Sequence, residues 1–325
     1  MVKYSKYYFG LGGACLKKFL KFFRYFASLL FVTASIGVYF SNRLMYKKKK
    51  EDQFILHRET TSGRYNPVKF ESLPKREVFV TSPLGYPLKT ILVEPHHTNR
   101  YIIICHGVSE NKTNSVKYMN MFLERGFNAV IYDHRRHGQS GGKTTSFGHY
   151  EKLDLKAVID WLKNEKGSDL LLGIHGESMG AATMLLYAGM LEDGAEFYIA
   201  DCPYSDFQEL LIEQIKDDMK LPPRIVLSIG NLFLRIRDKY TVSEVSPISV
   251  IENIKSPVLF IHSQKDDYIL PSMTEALYER KKGPKKLFLA VNGGHAQSFN
   301  ENREEYEKTV DEFLAEFVFH DRIRH

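Results

Sequence analysis

The sequence predicts an α/β fold in which helices cover both faces of a mostly parallel, twisted sheet. Three observations indicate this fold. Continuous apolar runs such as Tyr101–Cys105 and Phe127–Tyr132 are typical of strands buried on both faces. Segments with helical patterns separate these runs, as in folds built from alternating strands and helices. A serine between two glycines, within residues 176–180, follows one apolar run and precedes a run of small residues.

Charge is distributed unevenly along the 325 residues. Residues 1–50 contain eleven Lys and Arg and no Asp or Glu. The remaining 34 basic and 39 acidic residues give the rest of the chain a net charge of −5. The basic N-terminal segment is therefore responsible for the high isoelectric point of the whole chain. The mildly acidic charge of the remaining residues gives no support to nucleic-acid binding. The three cysteines, Cys15, Cys105 and Cys202, form no disulfide framework, and the last two are expected to be buried thiols.

The basic segment 1–50 contains an uncharged run at about residues 25–40, which predicts a single membrane anchor. Lysines and arginines flank this run on both sides in nearly equal number, so the charges do not indicate which end of the helix faces which side of the membrane. A cleaved signal peptide is disfavoured because no convincing cleavage site is present and a lysine cluster follows directly. Nothing in residues 1–50 is expected to supply chemistry.

Residues 51–75 are polar and are expected to form a linker to a body spanning residues 76–320. In chain order the predicted strands are Glu77–Ser82, Lys89–Glu94, Tyr101–Cys105, Phe127–Tyr132, Leu170–His175, Phe197–Ala200, Pro257–His262 and Lys286–Val291. The first alternates in polarity, and it is predicted to form an antiparallel pair with the second around a turn. The predicted helices are Thr113–Arg125, Tyr150–Lys166, Ala181–Ala188, Ser272–Lys282 and Glu304–Phe319.

Residues 206–254 interrupt the alternation, because they hold no strand signal. Two helices are predicted there, Phe207–Lys220 and Pro223–Tyr240, separated by adjacent prolines. We expect this insertion to be a small helical cap over a site at the sheet edge. The alternative is a helical pair packed on the edge of the sheet.

Ser178 lies in Gly176-Glu177-Ser178-Met179-Gly180, a G-x-S-x-G pattern at the junction of a strand and a helix. Such a serine sits in strained backbone, and side chains two residues away on either side would collide with their surroundings. A serine hydroxyl needs a base to act as a nucleophile. Among the histidines that follow Ser178, His295 lies in a glycine-rich loop directly after a strand, and it is the predicted base. His262 lies within a strand, and His320 and His325 lie at the tail.

The base in turn needs an acid that orients it. Asp266 follows the strand Pro257–His262 and is the predicted acid, with its neighbour Asp267 as the main alternative and Asp201 as a third. The backbone N–H groups of Met179 and Val108 are the predicted oxyanion-hole donors. His106, His134 and His137 are expected to be structural, so neither a metal nor a cofactor is predicted.

The combination of these motifs resembles the α/β-hydrolase superfamily over residues 78–319. The matching residues are His106-Gly107, the run Asp133–Ser140, Gly176–Gly180, Asp266 and Gly294-His295. The sequence is similar to bacterial membrane-anchored members of the branch that holds serine aminopeptidases, lysophospholipase-like enzymes and carboxylesterases. The resemblance implies the α/β-hydrolase fold with Ser178 as nucleophile, Asp266 as acid and His295 as base. One departure is Ser263, where many relatives carry glycine.

These features lead to the expectation of a membrane-bound serine hydrolase that cleaves small-molecule carboxylic esters through an acyl-enzyme, without a cofactor. A serine aminopeptidase or an acyltransferase with the same triad is the alternative among enzymes. A non-catalytic binding protein on the same fold is the alternative outside enzymes. The sequence indicates neither the natural substrate nor the oligomeric state.

Overall fold

The computed structural model describes residues 8–218 and 222–319. Within them, eight strands form a single sheet. The strands are β1 (Lys75–Thr81), β2 (Pro87–Val93), β3 (Arg100–Cys105), β4 (Asn128–Tyr132), β5 (Leu171–Glu177), β6 (Phe197–Asp201), β7 (Val258–Ser263) and β8 (Lys285–Ala290). Each predicted strand corresponds to one of these, which confirms the predicted fold class.

The strand order in the sheet is β1-β2-β4-β3-β5-β6-β7-β8. The β1–β2 pair is antiparallel, as predicted, and β2 also pairs antiparallel with β4, which the sequence did not indicate. All pairs from β4 to β8 are parallel. The carboxyl ends of the parallel strands therefore meet at one edge, where the loops that carry Val108, Ser178, Asp266 and His295 begin.

Helices cover both faces of the sheet. In chain order they are α1 (Tyr8–Met45), α2 (Asp52–Thr61), α3 (Pro67–Ser72), α4 (Val116–Leu123), α5 (Glu151–Lys166), α6 (Met179–Met190), α7 (Phe207–Asp218), α8 (Pro223–Asp238), α9 (Pro271–Arg280), α10 (Ser298–Glu301) and α11 (Arg303–Phe317). The predicted end of α7 at Lys220 lies outside the described residues, as do His320 and His325.

Side chains of the central strands alternate between two apolar layers. In β3, Tyr101, Ile103 and Cys105 belong to one layer, and Ile102 and Ile104 belong to the other. A strand packed on both faces needs apolar residues at every position, which explains the unbroken run in its sequence. Cys105 and Cys202 are free and fully buried, as predicted. Burial raises the pKa of the Cys105 thiol to about 12.

Helix α1 is longer than the predicted anchor at residues 25–40. Its Leu16–Met45 part is long and apolar enough to cross a membrane, although a signal sequence near an N-terminus meets the same criteria. The last third of α1 differs from an isolated anchor, because Phe40, Leu44 and Met45 are buried against the body. α1 packs along α8, where a Cβ on Gly230 would lie 2.1 Å from the Phe40 ring. The glycine thus permits the close approach of the two helices.

The segment 51–75 differs from the linker expected from its polar composition, since it holds α2 and α3. Ile55 of α2 is fully buried, and Glu59 of the same helix is nearly so. Asn66 caps α3 by accepting a hydrogen bond from the Lys69 N–H at 3.0 Å. An ion pair between Arg58 and Glu110 fixes α2 beside the loop that follows β3.

Candidate active site

Ser178 occupies a strained turn between β5 and α6. Its φ is 55° and its ψ is −116°, a conformation that costs free energy for any residue with a side chain. The glycines on either side allow the surrounding chain to pack closely. A Cβ on Gly176 would lie 2.5 Å from the Ala181 backbone nitrogen, and a Cβ on Gly180 would lie 2.1 Å from the Cys105 carbonyl oxygen. The turn therefore requires the glycines that the sequence pattern singled out.

Ser178, His295 and Asp266 form a continuous chain of hydrogen bonds. The Ser178 Oγ lies 2.9 Å from His295 Nε2. The other ring nitrogen, His295 Nδ1, lies 2.7 Å from Asp266 Oδ2. An ionised carboxylate only accepts hydrogen bonds, so Nδ1 carries the proton and Nε2 is left to accept from the serine. This arrangement can move a proton away from the hydroxyl.

Asp266 is held in its ionised form by several donors. Its Oδ1 accepts hydrogen bonds from the backbone N–H groups of Tyr268 and Ile269, each at 3.0 Å. Its Oδ2 also lies 3.0 Å from His262 Nε2. Burial opposes ionisation, but the hydrogen bonds from His262 and His295 outweigh it and hold the Asp266 pKa well below its usual range. The carboxylate therefore stays charged beside His295 at neutral pH.

The two alternative acids lie elsewhere. Asp267 is exposed and points away from the chain of hydrogen bonds, since it lines a separate surface depression with Arg43 and Leu270. Asp201 is buried, and its Oδ2 accepts a hydrogen bond from the Tyr118 hydroxyl at 3.1 Å. Burial raises the Asp201 pKa to about 6. The geometry therefore favours Asp266 among the three carboxylates.

The loop after β3 carries Val108, and histidines brace it. His106 Nδ1 donates to the Gly107 carbonyl at 2.7 Å, and His106 Nε2 accepts from the His134 N–H at 3.0 Å. The Ser109 N–H, next to Val108, donates to His137 Nε2 at 3.1 Å. Burial lowers the His137 pKa to about 3, so this ring stays neutral and can accept. These contacts agree with the structural role expected for the histidines.

A metal site does not fit the residues gathered here. Cys202, Asp266 and His295 offer ligand atoms within 4.8 Å of one another. Burial, however, raises the Cys202 thiol pKa well above its usual value, so the thiolate that a metal requires is disfavoured. The Nδ1 atom of His295 is also occupied by its bond to Asp266. We therefore derive no chemistry from a metal.

A polar cavity of about 430 Å³ opens in front of Ser178 and His295. Its charged wall comes from Lys47, Lys50, Arg58, Arg64, Lys117, Glu59, Glu110 and Glu177. Each of the three glutamates is paired with a cation: Glu177 with Lys117 at 2.8 Å, Glu110 with Arg58 at 2.7 Å and Glu59 with Arg64 at 2.6 Å. Five cations against three carboxylates leave this cavity with an excess of positive charge.

Helix α2 supplies part of that wall, which the sequence had not indicated. Glu110, in the loop that follows Val108, binds both Arg58 of α2 and Lys50. Burial opposes the ionisation of Glu110, but the hydrogen bonds from Arg58 and Lys50 lower its pKa to about 2. The ion pairs thus fix the segment after α1 beside the loop that carries Val108.

An apolar cavity of about 270 Å³ lies on the other side of Tyr268. We call this space the apolar cavity. Most of its wall consists of apolar side chains from three helices and one loop: Ile36, Phe40 and Leu44 of α1, Phe207, Leu211 and Ile215 of α7, Val226 of α8, and Phe147. Tyr268 and Lys47 line both cavities. The Tyr268 ring lies 5.0 Å from the His295 ring, so this side chain stands between the apolar cavity and the hydrogen-bonded histidine.

The structure thus adds three residues that sequence reasoning missed. His262 was set aside because it lies within a strand, yet its ring supports Asp266. Tyr268 follows the acid by two residues, and Arg58 lies in a segment expected to be a linker. No motif distinguishes Tyr268 or Arg58 from other surface residues. The spacing of His262, four residues before Asp266, is a signal that could have been used.

Comparison with known proteins agrees with this fold. Residues 96–244 match the family described as "Serine aminopeptidase, S33". The uncharacterized protein YqkD of Bacillus subtilis is 52% identical over 288 residues, which cover 88% of this chain and 94% of YqkD. Among solved structures, the esterase Pf2001 of Pyrococcus furiosus superposes with a TM-score of 0.63 at 24% identity, covering 78% of this chain and 96% of that one.

A further similar fold is the acylaminoacyl peptidase of Pyrococcus horikoshii, with a TM-score of 0.58 at 19% identity over 78% of this chain and 44% of that chain. At these identities the structural matches establish the fold alone. One classification follows from the match to the S33 family, the shared fold and the similarity to YqkD over most of both chains. This protein belongs to the α/β-hydrolase superfamily, in the same family as YqkD.

Proposed function

We propose that this α/β-hydrolase is a serine esterase, which cleaves carboxylic esters through an acyl-enzyme. The observation that carries the proposal is the chain of hydrogen bonds from Ser178 through His295 to Asp266, at 2.9 and 2.7 Å. It lies at the mouth of a cavity large enough for a small ester. The esterase Pf2001, which shares the fold, lends support from its name.

In the proposed acylation step, the Ser178 Oγ attacks the ester carbonyl carbon while His295 Nε2 takes the hydroxyl proton. The negative charge that develops on the carbonyl oxygen is stabilised by the N–H groups of Met179 and Val108. Asp266 keeps the proton on Nδ1 and stabilises the imidazolium that forms. The intermediate then expels the alcohol, which receives the proton from His295, and the acyl group stays on Ser178.

In the proposed deacylation step, water replaces the alcohol. His295 takes a proton from the water, and the resulting hydroxide equivalent attacks the acyl carbon. The second tetrahedral intermediate rests on the same two N–H groups. Its collapse breaks the bond to Ser178 Oγ, which regains a proton from His295, and the carboxylic acid leaves. The cycle consumes one ester and one water and needs no cofactor.

A serine aminopeptidase is the second candidate, because the matched family carries that description. An aminopeptidase must bind the substrate's α-ammonium group, and a carboxylate is the natural partner for it. The carboxylates that line the polar cavity are already paired with Lys117, Arg58 and Arg64. The excess of positive charge would also repel an ammonium group. We therefore favour an ester without an α-amine.

A matched pair of substrates tests this choice. We expect kcat/KM for p-nitrophenyl butyrate to exceed that for p-nitrophenyl 2-aminobutyrate at least about tenfold, since about 1.4 kcal/mol of lost stabilisation gives that ratio. The two esters share their leaving group, but the α-ammonium group activates the carbonyl of the aminated ester, so each kcat/KM is first divided by the rate constant for hydrolysis without enzyme. A preference for the aminated ester would instead support the aminopeptidase.

We further propose that α1 anchors the protein in a membrane as a single-pass N-terminal helix. Large apolar side chains along α1, including Phe23, Phe26, Leu29, Leu30 and Phe31, are exposed to the surroundings. A helix that is long enough to span a membrane and exposes this much apolar surface is suited to insertion into a lipid bilayer. Lys17, Lys18, Lys21 and Arg24 are placed to contact anionic headgroups at one end.

Fractionation of cells that express the full chain tests the anchor. The protein is expected to stay in the membrane pellet through 1 M salt, which screens headgroup attraction beyond about 3 Å, and through a wash at alkaline pH with carbonate. Retention requires apolar insertion, because neither wash removes a spanning helix. Release by salt alone would mean that the basic residues hold the protein by charge only.

A further inference from the structure

We infer that helix α1 is a wall of the acyl-binding site, so that the membrane helix takes part in substrate binding and the substrate is an ester of a long-chain acyl group drawn from the bilayer. This inference rests on the proposed esterase function and names its substrate class. It gives residues 36–44 a role that their sequence did not predict, since nothing before residue 50 was expected to contribute to the site.

The apolar cavity is built jointly by α1 and the cap. Ile36, Phe40 and Leu44 recur every four residues on one face of α1, and they line the cavity opposite Leu211 and Val226 of the cap. Phe40 and Leu44 are nearly fully buried there. Without α1 the cavity would lose one side and become an open groove. The cap alone therefore does not enclose an acyl chain.

The end of α1 is fixed to the loops of the catalytic site by polar contacts. The Thr145 N–H donates to the Met45 carbonyl at 2.9 Å. The Ser109 hydroxyl, next to Val108, donates to the Lys48 carbonyl at 2.9 Å, and the Lys50 N–H donates to the Ser109 carbonyl at 3.1 Å. The helix thus meets the body at the loop that carries a proposed oxyanion donor.

Apolar packing also connects α1 with the nucleophile. Phe40, Leu44 and Met179 belong to one buried cluster, and Val108 packs against that cluster. Met179 directly follows Ser178 in the chain. Tyr268 lines both the apolar cavity and the polar cavity that contains Ser178. An acyl chain in the apolar cavity would therefore reach the serine past Tyr268, with its ester group between the two cavities.

The volume and the surroundings of the cavity suit a chain from the membrane. An apolar cavity of about 150 Å³ holds benzene, so 270 Å³ has room for an alkyl chain of roughly ten carbons by proportion. Beside α1, the cap helix α8 exposes Ile225, Leu232 and Ile236, which recur on one face of the helix. Since α8 packs along α1, this exposed apolar face lies beside the membrane helix. A bilayer that surrounds α1 would also cover it and lie next to the cavity.

Filling the cavity from either wall tests the inference in the full-length protein. The substrates are p-nitrophenyl decanoate and p-nitrophenyl acetate, assayed in detergent micelles. We expect Ile36→Trp on α1 and Val226→Trp on α8 each to lower the ratio of kcat/KM for decanoate to that for acetate at least tenfold. The reason is that an indole in the cavity excludes the long chain, whereas an acetyl group does not need this space.

The matched control is Val38→Trp, two residues along α1, where the side chain is exposed and does not line the cavity. It should leave the decanoate to acetate ratio within about twofold of wild type. The milder Ile36→Phe provides a second test if a tryptophan variant does not fold, with an expected fall of at least threefold. Labelling rates with dodecyl and ethyl fluorophosphonates should show the same loss of preference for the longer chain.

The possible outcomes separate this inference from the function on which it rests. If Ile36→Trp and Val38→Trp share the wild-type ratio while acetate is hydrolysed, α1 is not part of the acyl site, and the inference is overturned alone. If folded wild-type protein hydrolyses neither ester, the proposed function fails, and the inference fails with it. If the decanoate to acetate ratio falls only in Val226→Trp, the acyl site is formed by α7 and α8, and α1 is excluded from it.

Discussion

Replacement of Ser178 with alanine should lower kcat for p-nitrophenyl butyrate by on the order of 10⁴- to 10⁶-fold. The variant removes the Oγ atom that lies 2.9 Å from His295 Nε2, and with it the proposed nucleophile. Loss of one hydroxyl at a residue that is nearly buried leaves the strained turn and its glycines intact. We therefore expect the melting temperature to stay close to that of wild type.

Ser263→Ala is the control for this variant. Ser263 is also a buried serine at the end of a strand, and its hydroxyl lies 3.1 Å from that of Ser298 rather than from His295. Its replacement should change kcat less than about fivefold. Substantial ester hydrolysis by Ser178→Ala, at more than a hundredth of the wild-type rate, would mean that another group is the nucleophile.

The second large effect is expected from Asp266→Asn, with a loss in kcat on the order of 10³- to 10⁴-fold. The asparagine amide can donate to His295 Nδ1, which would stabilise the ring with its proton on Nε2. That nitrogen could then no longer accept the proton of Ser178. The effect therefore depends on the hydrogen bond of 2.7 Å between Asp266 and His295.

Asp267→Asn makes the same chemical change one residue further along and is the matched control. Asp267 is exposed, so its replacement should alter kcat less than about threefold. The kinetics of both variants on p-nitrophenyl butyrate, with circular dichroism to verify folding, give the comparison. Larger losses from Asp267→Asn than from Asp266→Asn would show that the acid has been assigned to the wrong residue.

The sheet and the residues at its edge could be predicted because each depends on local sequence. Buried parallel strands need unbroken apolar runs, as in Tyr101–Cys105, and a strained turn at Ser178 needs glycine at two fixed positions. The order of strands along the chain then places Asp266 and His295 at the same edge. Proximity at that edge follows from the parallel topology and requires no knowledge of long-range contacts.

The walls of the two cavities could not be predicted in this way. The segment 51–75 is mostly polar, and α2 is fixed by one buried isoleucine and by ion pairs between Arg58, Glu59 and Glu110. Charged residues of this kind look the same in sequence whether they face solvent or each other. Likewise, the uncharged run at about residues 25–40 reads as a membrane helix in the sequence. That Phe40 and Leu44 face α7 and α8 depends on tertiary packing, which hydropathy does not encode.

Covalent labelling tests most directly the claim that Ser178 is an activated nucleophile. Full-length protein in detergent would be incubated with an ethyl fluorophosphonate, and its intact mass and peptide map would be recorded. We predict a single phosphonyl adduct located on Ser178, with no adduct on Ser178→Ala and a strongly slowed reaction for Asp266→Asn. An adduct on another residue would contradict the assignment of this hydrogen-bonded chain as a catalytic triad and would mean that the other residue is the nucleophile. Folded wild-type protein that remains unlabelled would also contradict the assignment and would favour a binding protein built on the same fold.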